Sequence, residues 1–214
     1  MNIQPFEFNL FGELTYLLWN PETKESAVVD PGMSNEPERK LFTDFVEKHG
    51  LKIKYLLYTH LHIDHTFGHE FIKERYGVSA MAHPADAPLG AMRGKQAAQF
   101  RLRMPELQPL VIDEPLHDGQ KLTLGNENIT VIHVPGHSQG SVAYYCPESG
   151  FVLTGDALFK SSIGRTDLPG GSHRQLIESI INNLMTLPPQ TVVYPGHGEP
   201  TTIGQEARDN IFLR

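Results

Sequence analysis

The chain has 214 residues, 39% of them hydrophobic, and a formal charge of −7. That length is enough to bury a sizeable core, and nothing in the pattern divides residues 1–214 into two domains. The acidic balance argues against nucleic acid as a partner, and no apolar run approaches membrane-spanning length. Cys146 is the single cysteine, which excludes a disulfide framework and a thiolate metal site. The first residues lack the basic and apolar blocks of a signal peptide, so the cytoplasm is the expected compartment.

In chain order, Leu14 to Trp19 and Ser26 to Val29 read as a hairpin around the Asn20-Pro21 turn, and Pro37 to His49 as an amphipathic helix stopped by Gly50. The apolar run Ile53, Tyr55, Leu56, Leu57, Tyr58 reads as a strand. A second helix, Phe67 to Tyr76, ends at Gly77. Ser79 to His83 is a short strand, and Ala85 to Arg103 a polar, alanine-rich helical stretch weakened by Gly90 and Gly94. Its Arg93, Lys95, Arg101 and Arg103 form the only basic cluster, a solvated helix face or a weak anion site. Leu122 to Leu124, Ile129 to Val134, Ser141 to Tyr145 and Phe151 to Leu153 follow as strands, with Gly125-Asn126 marking a turn. Ser172 to Leu187 reads as a helix with Ser172 as N-cap, halted before Pro188-Pro189. Strands then helix, twice, with two or three helices in all, suggests two sheets with helices outside; the pattern alone establishes only a mixture of α and β.

Residues 59 to 65 carry the chemistry: Thr-His-Leu-His-Ile-Asp-His, four metal-competent side chains directly behind an apolar strand. A strand that ends in alternating His60 and His62 points both imidazoles the same way, and the following turn brings Asp64 and His65 toward a neighbouring point. One segment could therefore serve two metal ions. Strand, glycine turn and ligand recur at His137 in Val-Pro-Gly-His-Ser, Asp156 in Leu-Thr-Gly-Asp-Ala and His197 in Tyr-Pro-Gly-His-Gly. Asp30, closing the strand Ala-Val-Val-Asp, is a candidate to orient a ligand imidazole through its free N–H. Thr59 and Ser138 flank ligands and read as site hydrogen-bonders or turn residues. His69, His83 and His133 read as structural; His49, His117 and His173 read as surface or cap residues.

These residues resemble the metallo-β-lactamase superfamily, whose HxHxDH pattern followed by H, D and H is met by His60, His62, Asp64, His65, His137, Asp156 and His197. The resemblance implies an α/β protein with an αββα four-layer sandwich. It also implies that His60, His62 and His137 hold one metal, that Asp64, His65 and His197 hold a second, and that Asp156 bridges them. Gly-Arg-Thr-Asp-Leu-Pro-Gly-Gly at 164–171, Gly-His-Gly-Glu-Pro-Thr around His197, and Glu206 to Phe212 are similar to the short glyoxalase II-like (hydroxyacylglutathione hydrolase-like) hydrolases of bacteria.

Five imidazoles and two carboxylates without a thiolate suit two divalent ions, Zn2+ above all, with iron and manganese also tolerated. Such a centre can turn a bridging water into hydroxide near neutral pH and stabilise the oxyanion of an attacked carbonyl. By the resemblance, Asp64 both ligates and orients that hydroxide and is the catalytic residue. No acid for the leaving group is evident, which favours a small-molecule thioester, whose thiol departs as thiolate. The resemblance implies a 2-hydroxyacyl thioester such as S-D-lactoylglutathione, with Arg165 and Lys160 in the region that binds the thiol's carboxylate. Arg165 stands where those enzymes have lysine, the tyrosine shortly after it is missing, and no C-terminal glutathione-binding helical domain follows His197, so the thiol is left open. An ion pair with Asp167 is the competing role for Arg165. The alternative readings by resemblance are persulfide dioxygenases, which retain the same seven residues but use one iron and oxygen, and lactonases, which use the same dinuclear logic on cyclic substrates.

Overall fold

The protein's structure is a computed structural model and describes residues 1–102 and 107–214. The first half of the chain builds one sheet: β1 (Asn2–Phe8), β2 (Glu13–Trp19), β3 (Glu25–Val29), then helix α1 (Glu36–Lys48), β4 (Lys52–Leu57), helix α2 (His69–Tyr76), β5 (Ala80–Ala82), helices α3 (Ala87–Ala91) and α4 (Arg93–Gln99), and β6 (Glu114–Pro115). The second half builds another from β7 (Lys121–Leu124), β8 (Glu127–His133), β9 (Val142–Cys146), β10 (Phe151–Gly155), and, after the small β11 (Leu158–Phe159)–β12 (Ser162–Ile163) ribbon and helix α5 (His173–Ser179), β13 (Val192–Pro195) and β14 (Thr201–Thr202), with helix α6 (Ile203–Asp209) last. Each main sheet has six strands, in the orders β1-β2-β3-β4-β5-β6 and β14-β13-β10-β9-β8-β7.

Local chemistry explains the element ends. Asn35 caps α1 by accepting the Glu38 N–H at 3.0 Å, Pro37 occupies the first turn, and Glu36 and Glu38 lie at the positive end of the helix dipole. Gly77 ends α2 in the left-handed region at φ 65°, a conformation that costs glycine little.

Three apolar clusters define four layers. Tyr16, Leu18, Val29 and Leu57 of the first sheet face Leu122, Val131, Tyr144 and Leu153 of the second, forming the layer between sheets. The opposite face of the first sheet packs Phe8, Leu17, Val28 and Leu56 against Phe42 and Val46 of α1, Ile72 of α2 and Leu89 of α3. The outer face of the second sheet packs Ala143, Val152 and Val193 against Leu176 of α5, Ile180, Leu184 and Ile203 of α6. The architecture is thus the αββα sandwich of the metallo-β-lactamase fold. Burying alternate faces of both sheets explains why β2, β3 and β10 are apolar almost throughout, while β7, buried on one face, alternates.

The helices differ from expectation in number and continuity. The stretch expected as one helix over Ala85–Arg103 is a 3-10 turn (Pro84–Asp86) followed by α3 and α4, because Gly90 seats its backbone against Leu110, where a Cβ would lie 2.8 Å from the carbonyl oxygen; Arg103 lies outside the described residues. The expected Ser172–Leu187 helix is α5, capped by Ser172, continued by a π turn over Ile180–Leu184. Six α-helices occur among the described residues where two or three were expected. Four of them span five to seven residues, too short to reveal a helical period.

The carboxyl ends of β4, β8, β10 and β13 open onto one edge of the sandwich, the usual place for a ligand site in such sheets. Cross-sheet hydrogen bonds fasten this edge: the Leu14 N–H donates to the Gly196 carbonyl and the Val142 N–H to the Thr59 carbonyl, both at 2.8 Å.

Candidate metal centre

The segment after β4 carries His60 and His62 and then enters a single 3-10 turn, Ile63–His65, which swings Asp64 and His65 to the side. His137 arrives from the β8–β9 connection, Asp156 from the end of β10, and His197 from the end of β13. The β10–β13 ladder slips between Leu153 and Gly155, an irregularity of the kind that re-aims a side chain at a sheet edge, and Asp156 follows it directly. Gly196 makes room for the centre: a Cβ there would lie 2.2 Å from Asp156 Oδ1 and 2.8 Å from His65 Cε1.

Two triads result. In the first, His62 Nδ1 lies 2.8 Å from His137 Nε2, which lies 3.2 Å from His60 Nε2. In the second, His197 Nε2 lies 3.3 Å and His65 Nε2 3.7 Å from Asp64 Oδ2. Within each triad one ligand atom per residue lies within 4.8 Å of the others. Asp156 stands between them, its Oδ2 3.7 Å from His137 Nε2 and 3.6 Å from His197 Nε2, its Oδ1 3.5 Å from His65 Nε2.

The remaining ring nitrogens of His60, His65, His137 and His197 are held from behind. Asp30 Oδ2 lies 3.1 Å from His65 Nδ1, while Asp30 also accepts the Thr59 N–H (2.7 Å) and hydroxyl (2.5 Å). His60 Nδ1 lies 3.0 Å from the Thr59 hydroxyl, His137 Nδ1 2.8 Å from the Arg165 carbonyl, and His197 Nδ1 3.2 Å from the Phe11 carbonyl. A donated N–H fixes the tautomer and leaves the other nitrogen's lone pair facing the centre. Although Asp30 lies within ligand distance of His60 and His65, its oxygens are engaged by Thr59 and His65, which makes it an orienting group.

The residues fit metal ions on their own chemistry. Three imidazole nitrogens crowded at 2.8 and 3.2 Å leave lone pairs that one proton cannot satisfy. His65 Nε2 and Asp156 Oδ1 are buried without a hydrogen-bond partner, and such orphans require explanation. Electrostatics separate the triads. Burial, reinforced by the neighbouring imidazoles, drives His60 well below the usual histidine range, and burial with His137 drives His62 down to about 3. At His65 burial acts in the same direction but is outweighed by Asp64 and Asp156, which hold it well above that range; His197 is raised likewise, chiefly by Asp64. Burial opposes ionisation of Asp64 and Asp156, yet the surrounding imidazoles, His65 first, keep both carboxylates below their ordinary values.

Above the centre lies a cleft of about 450 Å3. Ligand-type residues His62, Asp64, His137, Asp156 and His197 form its floor, and Phe11, Leu89, Met92, Phe100, Leu168 and Pro169 line apolar walls. Arg165 lines the cleft too, but its guanidinium makes two 2.8 Å hydrogen bonds to Asp167. Lys160 is ion-paired with Glu199 and is not among the lining residues. Lys95, an exposed residue of α4, lines the cleft and forms no ion pair with a described residue. Among the other histidines, His69 is buried and bonded to the Tyr58 hydroxyl, and His83 stacks on His133 with centroids 4.1 Å apart. Cys146 is buried on β9, and burial pushes its thiol far up.

Sequence reasoning missed the Arg165 carbonyl, the cleft-wall aromatics and two buried carboxylates, Glu13 and Asp86. Glu13 is fully buried on β2, with Oε1 3.9 Å from His65 Nδ1. Gly12 precedes Glu13 in a turn, but neither Glu-Leu-Thr nor Ala-Asp-Ala matches ligand spacing, so nothing else marks these positions.

The sequence profile of the metallo-beta-lactamase superfamily matches residues 9–197. The hydroxyacylglutathione hydrolase GloC of Haemophilus influenzae is 36% identical over 215 residues, covering 100% of this chain and 98% of its own. Among solved structures, the BLEG-1 B3 metallo-beta-lactamase is similar at a TM-score of 0.88 and 32% identity over 99% of both chains. TTHA1623, solved in a di-iron-bound form, is similar at a TM-score of 0.86 and 38% identity, over 98% of this chain and 100% of its own. With the profile spanning all seven ligand-type residues, the chain belongs to the metallo-beta-lactamase superfamily of metal-dependent hydrolases.

Proposed function

We propose that residues 1–214 act as one catalytic domain that holds two divalent metal ions and hydrolyses small thioesters of the 2-hydroxyacyl class. In this reading His60, His62 and His137 hold one ion, Asp64, His65 and His197 the other, and Asp156 spans both. Zn2+ suits the nitrogen-rich donors best, and a similar protein carries two irons. When bound, the ions supply an acidified water and a Lewis acid for the carbonyl oxygen.

The observation that carries the thioester reading is the inventory of the cleft. Among the described residues, every carboxylate and imidazole lining it belongs to the proposed ligand set, and the only other titratable side chains are Lys95 and Arg165. Among the described residues no carboxylic acid or imidazole outside the proposed ligand set is at hand to protonate an amine or alkoxide leaving group. A thiol, with its lower pKa, leaves as thiolate. Asp64, which faces both His65 and His197 from the cleft floor, orients the attacking water. The apolar walls exclude water around the acyl carbon, which strengthens the electrostatics of the floor. Lys95 and Arg165 at the rim attract a thiol that bears a carboxylate, a preference supported by the likeness to a hydroxyacylglutathione hydrolase.

An activity panel tests the proposal: S-D-lactoylglutathione, an uncharged thioester, a lactone, a β-lactam and a persulfide, assayed on zinc-loaded and iron-loaded protein with oxygen uptake recorded. The expected outcome is thiol release from the thioesters without oxygen consumption. Turnover confined to the persulfide with oxygen uptake, or to the lactone, would replace it.

A further inference from the structure

We propose that Asp86 is a positioning residue for the all-imidazole triad, a single buried carboxylate that ties the His60–His62 segment to the His137 loop. The inference rests on the reading of that triad as a metal site.

Asp86 ends the 3-10 turn Pro84–Asp86 that follows β5, and it is 1% exposed. Its Oδ2 accepts the Leu61 N–H at 3.0 Å and the Ser138 hydroxyl at 2.8 Å; its Oδ1 accepts the Gly140 N–H at 2.6 Å. Leu61 is the residue between His60 and His62, and Ser138 follows His137 directly. Donors from ligand loops of both sheets therefore meet on one group that belongs to neither. The His137 loop is closed before it is tied: the Ser138 N–H donates to Ser141 Oγ at 3.1 Å, and the two serine hydroxyls lie 2.8 Å apart. Gly140 is required for the approach, since a Cβ there would sit 2.7 Å from Asp86 Cβ and Cγ.

The triad needs such a tie. His62 and His137 are 75 residues apart in sequence, yet their facing nitrogens lie 2.8 Å apart. A relative shift of the two loops by a fraction of an ångström would change the ligand triangle. An ionised acceptor shared by three donors makes shorter and stronger bonds than a neutral one, and only such pairing makes a buried carboxylate tolerable. Gln96 of α4 holds the other side, its Oε1 accepting the Ile63 N–H at 3.0 Å and its Nε2 donating to the Leu89 carbonyl at 2.9 Å. The residues on both sides of His62 are thus anchored to the segment that also supplies the cleft wall.

Asp86→Asn keeps the volume but replaces one acceptor oxygen by a donor. Ser138→Ala removes one donor and leaves the carboxylate. Zinc affinity of the parent and both variants is measured by competition with a chromophoric chelator, with the thermal midpoint of the metal-free proteins followed in parallel. Weakening of the tighter zinc site by about 10- to 100-fold is expected for Asp86→Asn, the range for loss of an outer partner of a metal ligand, and a smaller loss for Ser138→Ala. Cobalt-loaded Asp86→Asn should also show a shifted visible absorption, which a merely structural defect would not produce. Zinc affinity within about twofold of the parent, whatever the thermal midpoint, overturns the proposal. If metal-free Asp86→Asn fails to fold, Ser138→Ala carries the test, and parent-like affinity in that variant overturns it. A parent protein that binds no zinc removes the triad reading and this inference together, whereas a binding parent with unaffected variants removes only the role of Asp86.

Discussion

The two triads draw on the same segment, residues 60–65, each completed by one distant histidine, and they differ in kind. His60, His62 and His137 are all imidazole and all buried, and burial with the neighbouring imidazoles holds His60 and His62 well below the usual histidine range. Asp64, His65 and His197 mix carboxylate with imidazole, and Asp64 and His197 reach the cleft floor with 16% and 25% of their side chains exposed. The first triad is the more deeply buried socket and is gripped from outside by Thr59, Asp86 and the Arg165 carbonyl, although His62 and His137 also reach the cleft floor; the second is the more exposed. Retention of metal and turnover are therefore expected to divide between them.

The largest effect should come from the socket. In the proposed two-ion reading His62→Ala removes a buried ligand and both ions share Asp156, so kcat/KM should fall by about 10³-fold with loss of bound metal, the upper end of what one lost electrostatic contact to a transition state costs. Metal analysis of the folded variant with steady-state kinetics checks it; retained metal and modest rate loss would erase the distinction. Asp64→Ala should lower kcat by about 10²–10³-fold while the thermal midpoint moves little, because its contribution is made in the transition state. Near-parental turnover would make the second triad dispensable.

Acid should separate the triads next. His65 and His197 have raised pKa values, so below those values each holds a proton that an incoming ion must displace. His60 and His62 are depressed, His62 to about 3, and still offer lone pairs under mildly acidic conditions. As pH falls from 8 toward 5, the second ion should be released before the first. Equilibrium dialysis at stepped pH measures this, and simultaneous release would contradict it.

The smallest effects belong to the rim. Lys95→Ala should raise KM for a glutathione thioester by about tenfold, the loss of one charge-assisted contact, and leave an uncharged thioester little changed. Arg165→Ala should do less, because Asp167 already occupies its guanidinium. Equal losses on charged and uncharged thiols would assign both cations to the scaffold.

What could be read from the chain follows the same division. Each of His60, His62, Asp64, His65, His137, Asp156 and His197 follows an apolar strand or a glycine turn, and strand periodicity with ligand spacing is a local signal. The hairpin of β2 and β3 and the strands β7 to β10 were legible for the same reason. Asp86 and Gln96 act through backbone groups of segments distant in sequence, so no spacing announces them. β1 was missed as an edge strand interrupted by Pro5, and α6 because it completes barely two turns; α3, α4 and α5 were legible as helical stretches but not in their breaks. The pairing of Arg165 with Asp167 was legible as one of its two roles, because the partner is two residues away, whereas the pairing of Lys160 with Glu199 and the exposure of Lys95 to the cleft were set by loop packing.

The most direct test of the two-metal thioesterase reading is a titration of metal-free protein with zinc while thiol release from S-D-lactoylglutathione is followed. The rate should stay low through the first equivalent, which fills the buried socket, and rise with the second to a plateau at about two ions per chain. A plateau reached at one equivalent, or activity that appears only with iron and consumes oxygen on a persulfide, would contradict it.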